Sequence, residues 1–144
     1  MAEGIKFQVR LVTPDRVLVD AEAASVELPG RTGYLEALPG AAPLLTELGA
    51  GEVRITGLAG SSGSGGDQRF NVAWGFAEVL PDRVTILAES AQKPEEIDTA
   101  KARQQLKDGE KLWNEAGEDA SAYTRANAVI AEAESRLESA GSGR

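Results

Sequence analysis

Carboxylates are the side chains this sequence offers most freely for chemistry. The chain of 144 residues carries 23 aspartates and glutamates but no histidine and no cysteine. Without imidazole it lacks the usual general base, the commonest metal ligand and the usual pH switch near neutrality. Without thiols it has no disulfide framework, zinc-thiolate site or thiol nucleophile. Twelve of the acids fall within residues 1–90, so an acidic pair such as Glu36 with Glu47 is always at hand by chance. Glycosidase-type chemistry requires a cleft between two such groups, and distance along the chain does not show them converging. No catalytic residue and no metal-ligand set is expected.

A second chemical candidate is the glycine- and serine-rich stretch 57–67. Phosphate loops cradle their ligand with glycine backbone amides, but they follow the glycines with lysine or keep a G-x-G-x-x-G frame. Neither can be drawn here, and the stretch reads as an extended hairpin loop. The formal charge of −8 argues against nucleic acid, whose binding depends on a basic footprint. No segment approaches the ~20 apolar residues of a membrane span. Residues 1–6 lack the charged-then-apolar order of a signal peptide, so the chain is expected to stay in the compartment where it is made.

Whatever the chain does must be positioned by short strands. Ile5, Phe7, Val9 and Leu11 alternate with more polar neighbours, the period of a half-buried strand. Pro14 and Asp15 turn the chain into residues 16–20. Ala24, Val26 and Leu28 then lead into the most turn-dense stretch, 28–45. There Pro29 with Gly30, and Pro39 with Gly40, each suit a tight turn, because proline fixes φ near −65° and glycine tolerates positive φ. Between them Tyr34, Leu35, Ala37 and Leu38 read as a short extended piece. Residues 52–56 alternate again. Residues 69–74 and 76–80 read as two strands flanking Gly75, with Phe76 in the core and Trp74 either packed or facing a partner. Pro81, Asp82 and Arg83 turn them into residues 84–88. Strands of this length and spacing predict an all-β sandwich or flattened barrel over residues 1–92.

From Pro94 the alternation stops and helix formers take over. Proline followed by two acids makes a good first turn. Ala102, Leu106, Gly109 and Trp113 share one helical face; Gly117 ends that helix, and Asp119 or Ser121 can cap the next. Tyr123, Ala126, Ile130, Ala133 and Leu137 repeat the spacing. Residues 93–144 therefore read as an antiparallel α-helical hairpin with a frayed tail at 140–144. Its stripes mix alanine and glycine with the larger side chains, so the hairpin is expected to be held loosely enough to detach from the sandwich.

The order of residues in 28–45 goes beyond turn chemistry. Two LPG triplets, an A-P-L-L run and a following L-G-x-G resemble the ε subunit of F-type ATP synthase, whose segment reads approximately LPG-x-x-G-x-LG-x-LPG-H-A-P-LL. Glu36 stands where that family has glycine and Ala41 where it has histidine. Trp74, Gly75, Phe76, Glu78 and Val79, followed by residues 84–88, resemble the family's GGF-x-EV and VTVLA signatures, with Trp74 for the first glycine. Ile97, Asp98, Lys101 and Ala102 come near its ATP-responsive motif, I/L-D-x-x-R-A, with Lys101 for arginine. An ammonium does not reproduce the guanidinium fork on a phosphate, and the same residues read more readily as a solvated helix start.

The resemblance implies a non-catalytic subunit of the rotary enzyme's central stalk, peripheral on the cytoplasmic face of a bacterial membrane or the equivalent face of an organelle. It would need no cofactor of its own, with ATP at the hairpin as the one ligand the motif suggests. Its sandwich would bind the γ subunit through Thr13, Ala41 and Thr46. Arg31, Thr32 and Tyr34 would meet the c-ring. Its helices would reach the α and β catalytic subunits and restrain ATP hydrolysis. Residues 119–144 carry three arginines against four carboxylates, a net −1, so charge-driven inhibition is expected to be weak. The alternative from the residues alone is a stand-alone β-sandwich interaction module with a helical tail.

Overall fold

The computed structural model describes residues 5–59 and 66–141. Most of the glycine-serine loop expected at 57–67, the last residues of the expected frayed tail and the first four residues lie outside that range. Contacts divide the chain into two compact units, residues 1–92 and 93–144.

The first unit holds eight strands: β1 (Phe7–Val12), β2 (Val17–Ala23), β3 (Ser25–Gly30), β4 (Gly33–Ala37), β5 (Leu44–Glu47), β6 (Ala50–Thr56), β7 (Gln68–Leu80) and β8 (Arg83–Gln92). They form one sheet in the order β2-β1-β8-β7-β6-β3-β4, with β5 also paired to β7. Phe7, Val9 and Leu11 of β1, Val26 and Leu28 of β3, Val53 and Ile55 of β6, Phe70 and Val72 of β7, and Val84 and Ile86 of β8 join one buried cluster. The sheet thus folds over on itself and its inner faces share a core. Each such side chain contributes roughly 1.5–3 kcal/mol when fully buried.

Three local expectations change. Ile5 is 81% exposed, because the pairings of β1 with β2 and β8 begin only at Phe7 and Gln8. Pro29 and Gly30 are not the turn but the end of β3, facing Tyr34 and Gly33. The turn is Arg31 and Thr32. An antiparallel ladder alternates hydrogen-bonded and non-hydrogen-bonded pairs, which gives an imino acid without an N–H a place inside the strand. The turn at Pro39 and Gly40 forms as expected: the Ala41 N–H donates to the Leu38 carbonyl at 3.0 Å and Gly40 takes φ +87°, a type II turn.

The third change is the largest. The two strands expected at 69–80 are one, the 13-residue β7. β6 pairs with its first half and β5 with its second. Between the halves Trp74 has φ +61° and Gly75 φ +114°. The break reverses the alternation: Phe70 and Val72 are buried before it, Ala77 and Val79 after it. Phe76, expected in the core, is therefore turned outward and is 50% exposed.

In the second unit Pro94–Glu96 forms a 3₁₀ turn rather than the start of the helix. Helix α1 (Thr99–Asn114) begins after Asp98, whose carboxylate accepts the Lys101 N–H at 3.1 Å. An N-cap of this kind supplies the missing acceptor at a helix start. Helix α2 (Ala120–Gly141) is capped by Asp119, which accepts the N–H groups of Ser121 at 3.0 Å and Ala122 at 3.2 Å. Ala102 and Gly109 are buried on α1, and Ala126 and Ala133 on α2. Trp113 is half-exposed and meets Tyr123 edge-on at 5.2 Å.

Two outcomes follow from these local arrangements. A Cβ at Gly75 would collide with the Leu87 carbonyl oxygen in a backbone conformation L residues rarely adopt. Gly75→Ala should lower the free energy of unfolding by about 3 kcal/mol, read as a lower urea midpoint with unchanged slope. The Ser121 hydroxyl, then the Ala122 and Ser121 amides, hold the Asp119 carboxyl below its ordinary value of 3.8. That cap is fully present above 3.8 and is lost as pH falls through the lowered folded value. Carboxyl titration by NMR should give a midpoint below 3.8, and Asp119→Asn should remove the acid-dependent loss of amide protection in the first turn of α2.

Candidate functional site

The outer face of the folded sheet carries an apolar row that the core does not use. Val17 pairs with Val12, Val12 with Leu87, Leu87 with Phe76, and Phe76 with Glu47. Directly paired residues share a face, so four apolar side chains lie side by side across β2, β1, β8 and β7, over roughly 14 Å at ≈ 4.8 Å per strand. Val17, Leu87 and Phe76 are each about half exposed, and Leu45 of β5, two residues from Glu47, is 70% exposed. Single exposed apolar residues need no explanation, but a contiguous band marks an interaction surface. At its edge Val12, Thr13, Pro14, Leu87, Ala88 and Glu89 line a shallow depression of about 310 Å³.

The β3–β4 corner has a different character. Arg31 and Thr32 are exposed at its tip. The Arg31 guanidinium donates to the Glu47 carboxylate at 2.7 Å, and the Arg31 N–H donates to the Glu47 carbonyl at 2.9 Å. The hydrogen bond and the charge of Glu47 raise the Arg31 pKa above its ordinary value. Tyr34 is exposed along its ring, while its hydroxyl accepts the Glu52 N–H at 2.9 Å. Gly51 lies beneath it; a Cβ there would be 2.5 Å from that hydroxyl. The buried Glu52 carboxylate in turn pairs with Arg54 at 3.2 Å and Arg69 at 3.6 Å. Arg31, Thr32 and Tyr34 are thus brought together on one anchored corner. Glu47 is engaged by Arg31, while Glu36 faces Glu27 across the β3–β4 ladder.

Thr13, Ala41 and Thr46 are not gathered on one surface. Thr13 borders the apolar row. Thr46 faces Ala77 and is half-buried on the side of β5 opposite Leu45 and Glu47. Ala41 packs against the core beside the turn whose Gly40 N–H donates to the Pro81 carbonyl. In the second unit Ile97 and Ala102 are buried, Asp98 is occupied as the cap of α1, and Lys101 is exposed. These four present a phosphate with one ammonium and no converging set of donors.

Residue-by-residue reading missed Val17, Leu87, Phe76 and Leu45. The available signal was an apolar residue on the polar parity of a strand: Leu87 interrupts the Val84, Ile86, Ala88 alternation. Val17, by contrast, is in phase with the buried Val19 and is paired with Val12 on the outer face only through a register shift between β1 and β2.

The family described as "ATP synthase, Delta/Epsilon chain, beta-sandwich domain" matches residues 6–94. The chain is 47% identical over 117 residues to the ATP synthase epsilon chain of Koribacter versatilis, covering 81% of this chain and 77% of that one. It is 41% identical over 137 residues to the epsilon chain of Moorella thermoacetica, covering 94% and 96%. Among solved structures it is similar in fold, at 14% identity and a TM-score of 0.67, to a chain from the Tetrahymena thermophila mitochondrial ATP synthase central stalk and c-ring, over 96% of this chain and 99% of that one.

Proposed function

The chain belongs to the epsilon-chain family of ATP synthase, a non-catalytic subunit of that complex, and we propose that it works in the central stalk, gripping the γ subunit and touching the c-ring so that ion-driven rotation is transmitted to ATP synthesis. The observation that carries this reading is the exposed apolar row of Val17, Val12, Leu87 and Phe76. A part that transmits torque must be stiff, and a sheet closed around one core with its corner tied by Arg31 and Glu47 is a stiff body. The γ subunit would dock on the row, with Thr13 at its rim and Ala41 and Thr46 supporting from behind. The corner of Arg31, Thr32 and Tyr34 would face the polar loops of the c-ring. No helix among the described residues is long and apolar enough to cross a membrane. The subunit would thus be held peripherally, on the cytoplasmic face of a bacterial membrane, by those contacts.

The helical hairpin would have at most a weak inhibitory role toward the α and β subunits. Arg125 donates to Ser121, and Arg136 pairs with Glu132 at 2.6 Å and donates to Gln105 at 2.9 Å. Two of the three arginines in residues 119–144 are already engaged within the hairpin.

Phe76→Asp and Leu87→Asp should each weaken binding to the γ subunit at least about tenfold, measured by calorimetry. Neither should change the urea midpoint much, because both side chains are already half in water. Deleting residues 93–144 should leave the ATPase activity of the assembled enzyme little changed; a large rise would contradict the weak-inhibition reading.

A further inference from the structure

Near the turn joining α1 and α2, the hairpin carries a groove of about 330 Å³ lined by Glu110, Trp113 and Asn114 of α1 and by Asn127 and Ile130 of α2. The α1 residues are spaced i, i+3 and i+4, and the α2 residues i and i+3, so each set lies on one helical face. The helices come close here: a Cβ at Gly109 would stand 2.8 Å from Cγ1 of Ile130. Trp113 is 45% exposed, and its edge-on contact with Tyr123 fixes the indole. Elsewhere along the hairpin Gln104 bonds Asp108, Gln105 bonds Arg136, and Arg136 pairs with Glu132. In the groove the Glu110 carboxylate and the amides of Asn114 and Asn127 make no hydrogen bond or ion pair among the described residues. Around it, residues 108–119 hold five acids and one lysine, a net −4.

We propose that this groove docks an arginine side chain presented by a protein partner, with the guanidinium stacked on Trp113, paired to Glu110 and donating to the side-chain oxygens of Asn114 and Asn127. Guanidinium is planar, offers five donors in a fixed fork, stacks on aromatic faces and is weakly hydrated, whereas ammonium is a compact, strongly hydrated point charge. One carboxylate and two amide oxygens around an indole use that fork more fully than a point charge. Ile130 gives the methylene stem an apolar wall. The local charge of opposite sign draws the ligand in. The inference stands on the groove and does not depend on the stalk assignment.

The test uses the full chain with ¹⁵N-labelled indoles, titrated with a short blocked arginine–glycine peptide and with its lysine counterpart of equal charge. The Trp113 indole signal should shift while that of Trp74, in the other unit, stays in place. The arginine peptide should bind at least about fivefold more tightly than the lysine one. Glu110→Gln and Asn127→Ala should each weaken arginine binding, while Glu22→Gln, at an exposed carboxylate on β2, should not. Trp113→Ala could open the hairpin through Tyr123, so Glu110→Gln, at an exposed position, carries the decision with helicity checked by circular dichroism. Equal affinity for the two peptides, no effect of Glu110→Gln, or a shift at Trp74 instead of Trp113 would each overturn the proposal and mark a general response to the net charge of −8.

Discussion

The sandwich depends on one break in its longest strand. At Trp74 and Gly75 the backbone of β7 passes through positive φ twice, which for a bulky residue such as Trp74 costs of order 1–3 kcal/mol. The partner line breaks at the same level, between β5 and β6. Hydrogen bonding is carried across the corner: the Leu48 N–H donates to the Gly75 carbonyl at 2.9 Å, and the Trp74 N–H to the Gly49 carbonyl at 3.3 Å. A strand in which inward and outward residues alternate can be reversed only by such a break. Without it, Phe76 would share the parity of Phe70 and Val72 and point into the core. With it, Ala77 and Val79 fill the interior and Phe76 joins Leu87, Val12 and Val17 outside. The strain in the corner and the exposed apolar row are two consequences of the same change of phase.

The tied corner at Arg31 and the break in β7 are linked through β5. Glu47 lies opposite Phe76 and at the same time receives both the side chain and the main-chain N–H of Arg31. The Gly49 N–H next along the chain donates to the Pro29 carbonyl. The β3–β4 turn, the end of the apolar row and the reversal in β7 are therefore fixed by a few adjoining backbone bonds. An exposed ion pair alone contributes little; here the two main-chain bonds set the geometry and the carboxylate only adds to it.

The hairpin follows a different economy. Its seam is built from Ala102, Gly109, Ala126 and Ala133, which bury little apolar area but let the helix backbones approach. Its ends are defined by carboxylates at Asp98 and Asp119 rather than by packing. Two of its arginines, Arg125 and Arg136, are engaged by neighbours in the same helix or across the seam. That self-sufficiency weakens the case for a basic clamp on another subunit. It also leaves the unpaired acidic and amide groups beside Trp113 as the part of the hairpin with bonding capacity to spare.

By itself the sequence determined the kind of elements and their order. Period-two alternation in β1, β3 and β6, the Pro39 and Gly40 turn, and the i, i+3, i+4 stripes of the two helices are local patterns, and local patterns survive into the fold because backbone sterics and neighbour spacing enforce them. The LPG and A-P-L-L frame of residues 28–45 likewise carried the family. Only the tertiary structure decided which strands meet, including the parallel β1–β8 pair, where Pro29 loses its turn to Arg31 and Thr32, and which way Phe76 points. Those outcomes rest on pairings between residues far apart in the chain and on a two-residue change of backbone hand. Neither leaves a period in the sequence, so the apolar row that distinguishes this surface becomes visible only when the strands lie side by side.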